Sequence, residues 1–212
     1  MDWFKRKNKQ YFSYDHDIHS HILPGLDDGV KRVEDSVVIV KKMLELGVKQ
    51  FSFTPHISFP SPMNTPEIIL EKLNELKERL LKEKIEIEAD AGAEYKIGEY
   101  MIDLIRQGNI ASFHGGKVLV EHSFVAPSPA FEEVIFRLQD KGYTPVLAHP
   151  ERYPFYAKHL TERVWELKRR GCRIQVNLLS FVGFYGKEAM AGARELLVAR
   201  LIDYFSGDIH SV

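Results

Sequence analysis

The chain of 212 residues contains a single cysteine, Cys172, which excludes an intramolecular disulfide and fits a reducing, cytoplasmic setting. No apolar run approaches the ~18–20 residues that a membrane-spanning helix needs, so membrane insertion is not expected. The Lys and Arg residues near the N-terminus have no apolar stretch behind them, and no secretory signal is legible. A surplus of charge is missing as well: 29 Lys and Arg face 30 Asp and Glu, a net of −1. Bulk binding to nucleic acid leaves a basic footprint, and none is expected here. The nearest thing to one, Lys5-Arg6-Lys7-Asn8-Lys9, is read as part of a solvated tail over residues 1–14. Cys172 stands at the entry of an apolar strand with no glycine-rich anion loop after it, which makes it a core residue and argues against a cysteine-based phosphatase.

What is present is the composition of one globular domain, 44% hydrophobic and 28% charged. Short β-rich apolar runs alternate with stretches of helical periodicity, the pattern of βα units around a parallel sheet or barrel. Strands are predicted at Tyr14–His19, Gln50–Thr54, Ile85–Ala91, Lys117–Glu121, Thr144–Ala148, Arg173–Asn177 and Ile202–Ser206. Helices are predicted near 33–46, 66–84, 96–107, 129–141, 160–170 and 187–200. Pro66 after Thr65 marks one helix start, and Gly47, Gly142 and Gly171 mark helix ends. Seven such units fall one short of the eight of a full barrel, so a small or incomplete barrel is expected.

The residues that close the apolar runs carry the chemistry. They are His19 and His21, then His56, Glu94, Glu121, His149, and finally Asp208 with His210. Parallel barrels gather functional side chains at the C-terminal ends of their strands, so these groups converge on one mouth. His19/His21 and Asp208/His210 are two apart, and extended backbone points both members of each pair the same way. With one aspartate of Asp27–Asp28 they make nine potential ligands, more than one ion takes, and two to three divalent ions are expected. Imidazole and carboxylate donors without thiolate suit manganese, iron or zinc. Four carboxylates against three divalent ions leave a positive pocket, which suits a phosphate dianion. Arg152, three residues past His149, either reaches the same phosphate or pairs with Glu151 or another surface carboxylate. His16, His114, His122 and His159 are read as ordinary satisfied polar groups, with His122 facing the helices.

The series His-Ser-His-Ile-Leu-Pro-Gly-Leu-Asp-Asp-Gly (19–29), Thr-Pro-His (54–56), Gly-Ala-Glu (92–94), Val-Glu-His-Ser (120–123), Ala-His-Pro-Glu-Arg-Tyr (148–153), Gln-Val-Asn-Leu-Leu-Ser (175–180) and Gly-Asp-Ile-His (207–210) resembles the PHP superfamily. Within it, the sequence is similar to the manganese-dependent tyrosine-protein phosphatases of capsular and exopolysaccharide operons. The resemblance implies a distorted (β/α)7 TIM-like barrel over residues 15–212. It implies a cytoplasmic enzyme that hydrolyses phosphotyrosine in the C-terminal tail of a bacterial tyrosine kinase. It makes His19, His21, Glu94 and Asp208 ligands of one ion; Glu94 bridges to a second held also by Glu121 and His149, and Asp28, His56 and His210 hold a third. Asp28 is preferred to Asp27 because the family's ligand directly precedes the glycine. Asp17 and Asn177 orient ligands, and Arg152 contacts substrate phosphate. The family's usual continuation past Asp-x-His, with a further arginine, is absent from a sequence ending at Val212. Two other readings stay open: a different PHP phosphoesterase such as a histidinol-phosphate phosphatase, or a non-catalytic regulatory module.

Overall fold

The structure is a computed structural model that describes residues 14–212. The basic cluster at Lys5–Lys9 lies outside the described residues. In chain order the elements are β1 (His16–Asp17), α1 (Val33–Glu45), β2 (Gln50–Phe53), β3 (His56–Ile57), α2 (Pro66–Lys82), β4 (Glu88–Ala91), β5 (Glu94–Lys96) and α3 (Glu99–Gln107). There follow β6 (Lys117–Glu121), α4 (Phe131–Asp140), β7 (Thr144–Ala148), α5 (Leu160–Arg169), β8 (Arg173–Asn177), α6 (Lys187–Val198) and β9 (Tyr204–Ser206). Every strand pairing is parallel, in a three-stranded sheet of order β1-β2-β4 and a six-stranded sheet of order β3-β5-β6-β7-β8-β9. Parallel neighbours need crossovers, and the helices supply them.

Local sequence accounts for the elements. In α2 the Thr65 side chain accepts from the Ile68 amide, Pro66 takes the first helical position, and Ile69, Leu73, Leu76 and Leu80 bury one stripe. The runs of β6, β7 and β8 are buried on both faces, as expected for parallel strands covered by helices. Their alternation sorts the two faces. Val118, Val120, Leu147, Ile174 and Val176 join the main apolar core, while Leu119, Val146 and Ala148 form a smaller cluster with Ile18 and Phe113 on the other side. Glu121 follows Leu119 at a spacing of two, so it emerges above that smaller cluster.

The first, third and seventh expected strands are shorter than expected, beginning at His16, Glu88 and Tyr204, and the second and third are each followed by a further strand. The second is interrupted after Phe53 because Pro55 has no N–H to give the ladder, and its continuation His56–Ile57 joins the six-stranded sheet. The third breaks at Gly92, where a β-carbon would come within 2.8 Å of the Phe113 ring, and resumes as β5, which the sequence did not announce. Backbone bonds cross these breaks: Thr54 N–H to Ser20 O (3.0 Å), Gly92 N–H to Phe53 O (2.9 Å) and Glu94 N–H to Pro55 O (3.0 Å). The segment after β9 meets the segment after β1 in the same way, Asp208 N–H to His19 O (2.9 Å) and His21 N–H to Ile209 O (2.9 Å). The strand ends that carry His19, His56, Glu94 and Asp208 are thereby tied together by main chain.

Candidate metal centre

Glu94 occupies the middle of the polar cluster. Its carboxylate is 1% exposed, with Oε2 3.1 Å from His19 Nε2, 3.3 Å from His21 Nε2 and 3.2 Å from His56 Nδ1, and Oε1 3.2 Å from His149 Nε2. None of these approaches has hydrogen-bond geometry, and both oxygens are buried without a hydrogen-bond donor. Asp208 Oδ1 joins the group, 3.3 Å from His19 Nε2 and 3.4 Å from His21 Nε2. A buried carboxylate that no donor bonds, ringed by imidazole nitrogens at this range, is arranged for a shared cation.

All nine residues singled out in the sequence fall into four overlapping groups whose donor atoms lie within 4.8 Å of one another. These are His21, Asp28, His56 and His210; His19, Glu94 and His149; His19, His21 and Asp208; and His56, Glu94 and Glu121. Glu121 thus groups with His56, its carboxylate 3.5 Å from the ring, where the resemblance had set it beside His149.

The electrostatics call for positive charge. Burial works against protonation of His19, but the carboxylates of Glu94 and Asp208 outweigh it and raise its pKa to about 9. His21 is raised in the same way against its burial, by bonds to Asp208 and Asp27. Burial, the largest effect at both, lowers His56 and His149 against the pull of the Glu94 carboxylate. Burial, joined by the charge of Glu94, lifts Glu121 to about 8. Two buried carboxylates are therefore balanced by protons on imidazoles, which divalent ions would displace. The donor set, imidazole and carboxylate without thiolate, fits such ions.

A surrounding layer of polar groups aims the donors. Asp17 accepts from the His19 and Gly207 amides (3.0 and 3.4 Å) and from the Ser206 hydroxyl, which ties the backbones of both paired motifs. Asn177 donates to Asp208 Oδ2 at 2.7 Å, leaving Oδ1 toward the imidazoles. Gln175 and Asp27 were not foreseen in this role. Gln175 Oε1 is 3.0 Å from His19 Nδ1 and accepts from the His149 amide at 3.3 Å, while its amide donates to Asn177. Its spacing of two from Asn177 was the available signal. Asp27 is buried, with Oδ2 2.7 Å from His21 Nδ1, and also accepts from the Gly29 and His56 amides. Asp28 is its opposite, with a side chain 72% exposed and turned toward His56 (3.7 Å) and His210 (3.5 Å). Gly29 passes close to His21, since a β-carbon there would stand 2.1 Å from the His21 carbonyl oxygen. His149 and Asp208 both adopt positive φ, 36° and 51°, costly for residues with side chains and concentrated where function fixes the backbone.

Arg152 leaves a short 3-10 turn, Pro150–Arg152, and its Nη1 donates to Asp208 Oδ2 at 2.7 Å. Glu151 points elsewhere, accepting from the Asn177 amide and the Ser180 hydroxyl. A cleft of about 370 Å³ opens beside the cluster, lined by Arg152, Leu179, Phe184, Tyr185, Asp208 and His210 among others. The remaining histidines have ordinary partners. His122 faces Tyr156, its Nε2 2.9 Å from the hydroxyl, and accepts from the Ser128 amide; His16 meets Ser52, the His114 amide donates to Asp90, and the exposed His159 pairs with Glu162. Cys172 is buried, and burial pushes its thiol up to about 12.

Comparison with known proteins adds the following. The chain is 32% identical over 197 residues to the tyrosine-protein phosphatase YwqE of Bacillus subtilis, covering 92% of this chain and 77% of that protein. It is 28% identical over 203 residues to the tyrosine-protein phosphatase CpsB of Streptococcus agalactiae, covering 92% and 83%. A chain from the crystal structures of YwqE from Bacillus subtilis and CpsB from Streptococcus pneumoniae, described as metal-dependent tyrosine phosphatases, superposes with a TM-score of 0.85 at 30% identity, over 93% of this chain and 80% of that one. A histidinol phosphate phosphatase from Lactococcus lactis shares the fold, with a TM-score of 0.57 at 19% identity over 92% and 85% of the two chains. The family model for capsular polysaccharide synthesis proteins of the CpsB/CapC type matches residues 15–212, and the chain belongs to that family.

Proposed function

We propose that this chain is a metal-dependent tyrosine-protein phosphatase that removes phosphate from tyrosines in the C-terminal tail of a bacterial tyrosine kinase of capsule or exopolysaccharide synthesis, in the cytoplasm. The observation that carries the reading is the convergence of nine imidazole and carboxylate donors on Glu94, with Arg152 at their edge. The domain is read as residues 15–212, a distorted (β/α)7 barrel whose seam is the pairing between the segments after β1 and β9. His19, His21, Glu94 and Asp208 are the ligands assigned to one ion, Glu94, Glu121 and His149 to a second, and Asp28, His56 and His210 to a third. Two to three ions are expected, with manganese first and iron or zinc as other fits. Divalent ions at such a site supply Lewis acidity toward a phosphoryl group and lower the pKa of water toward neutrality.

The chain's own residues do the rest. Glu94 offers both carboxylate oxygens to the centre, so it links what its neighbours hold separately. Asn177 and Asp17 fix Asp208 and His19, and Arg152 presents guanidinium N–H groups to the charge that develops on the phosphoryl oxygens. A phenol leaves with a pKa of about 10 and needs less protonation than an alkoxide, so aryl phosphates suit a site whose acidic groups are committed to one another. The relatives at 26–32% identity carry tyrosine-protein phosphatase names, whereas the histidinol phosphate phosphatase shares the fold alone. Elemental analysis of chain purified without chelator, followed by an aryl phosphate assay, tests the reading. Two to three transition ions per chain, and activity that chelation removes and manganese restores, are expected. A ratio below one that added manganese does not raise contradicts the site.

A further inference from the structure

We propose that Phe124 and Tyr185 are positioning residues that hold the Arg152 guanidinium between two aromatic rings, so that its free edge meets the phosphoryl group in one fixed plane. The inference rests on the phosphate-contact role proposed above for Arg152. The guanidinium carbon lies 4.9 Å from the centre of the Phe124 ring and 4.1 Å from that of Tyr185. Among the described residues no ring contact joins Phe124 to Tyr185, so each ring meets the cation separately. Asp208 holds one edge through Nη1, and among the described residues it is the one carboxylate at ion-pair distance from Arg152.

The clamp comes from three adjacent strand ends. Phe124 follows β6, Arg152 follows β7 and Tyr185 lies between β8 and α6, in a turn where Gly183 and Gly186 adopt φ of 81° and 98°. Phe124 is 43% exposed, with its ring against the buried Tyr153 on one side of the loop. Its ring also stacks on His149, with centroids 5.7 Å apart and planes at 20°. One side chain thus bears on both a proposed ligand and the proposed phosphate contact. An arginine offers a flat face to two rings, which a lysine ammonium does not. Cation–π contacts of this kind correspond to about 2- to 30-fold in affinity.

The test uses the full chain loaded with manganese. Phe124→Leu, Tyr185→Leu and Tyr185→Phe are made in the wild-type and in the Arg152→Lys background. The dissociation constant of inorganic phosphate is read by calorimetry, kcat/KM on an aryl phosphate by assay, and metal content alongside. Both rings are partly exposed, so the leucine variants retain the core. In the wild-type background each leucine change should weaken phosphate binding about 3- to 30-fold at unchanged metal content, while Tyr185→Phe stays within about 2-fold. In the Arg152→Lys background the same changes should cost less than about 2-fold, because no flat cation remains to be held. Equal losses in both backgrounds, unchanged phosphate affinity in the leucine variants, or no phosphate binding by the wild-type chain would overturn the clamp. A chain that reproduces this binding pattern yet turns over no aryl phosphate removes the phosphatase reading and leaves the clamp standing.

Discussion

Glu94 sits where four imidazoles approach a single carboxylate, and burial alone would drive that carboxyl toward its neutral form. The histidines, His19 and His56 foremost, reverse this and hold Glu94 well below the usual carboxylate range. A carboxylate with both oxygens facing the donor set has a role that no neighbour duplicates. Glu94→Ala should therefore abolish aryl phosphate hydrolysis and lower metal content, whereas Arg152→Ala should keep its metal and lose about 10²–10³ in rate, the usual cost of one charge-stabilising donor. Steady-state kinetics with elemental analysis decide this, and an active Glu94→Ala beside a dead Arg152→Ala would refute the assignment. Eight of the nine donors were legible because each stands where an apolar run stops, while Asp28 was preferred to Asp27 only through the family resemblance. The sequence did not reveal that Asp27 rather than Asp28 supports His21, since adjacency treats the two alike and the Gly29 and His56 amides that hold Asp27 come together only in the fold. Phe124 and Tyr185 were likewise illegible, because an aromatic in a loop gives no sign of what its face will cover.

Among the elements, β6, β7 and β8 matched their expected bounds because uninterrupted apolar residues specify strands buried on both faces. β3 and β5 were not foreseen as separate strands. Pro55 and Gly92 divide the second and third strands, and such short segments carry no periodicity of their own. The C-terminal segment divides in a similar way. β9 pairs with β8, and Asp203 anchors its start by accepting from the Ile174 amide and pairing with Lys168 and Arg173. Beyond Ser206 the ties are the Gly207 amide to Asp17, the two backbone bonds to His19 and His21 and the contacts of Asp208 and His210. Hydrogen exchange on metal-loaded chain, with and without chelator, should show residues 207–212 losing protection while 203–206 retain it. Equal protection of 207–212 in both states would mean that packing, not metal, orders the terminus.

At the scale of the whole molecule, near-zero net charge coexists with a centre that concentrates imidazoles and carboxylates at one end of the parallel strands. Alternation along β6 contributes to this: Leu119 lies in the smaller apolar cluster, and Glu121 two positions further stands above it. The same fold in a histidinol phosphate phosphatase means that architecture does not choose the substrate, so the choice rests on the residues around the mouth. The most direct measurement is a comparison of kcat/KM, in manganese, for a phosphotyrosine peptide, the matching phosphoserine peptide and histidinol phosphate. The account predicts that the phosphotyrosine peptide is turned over fastest and that chelator stops the reaction; equal or faster hydrolysis of histidinol phosphate or phosphoserine would contradict it.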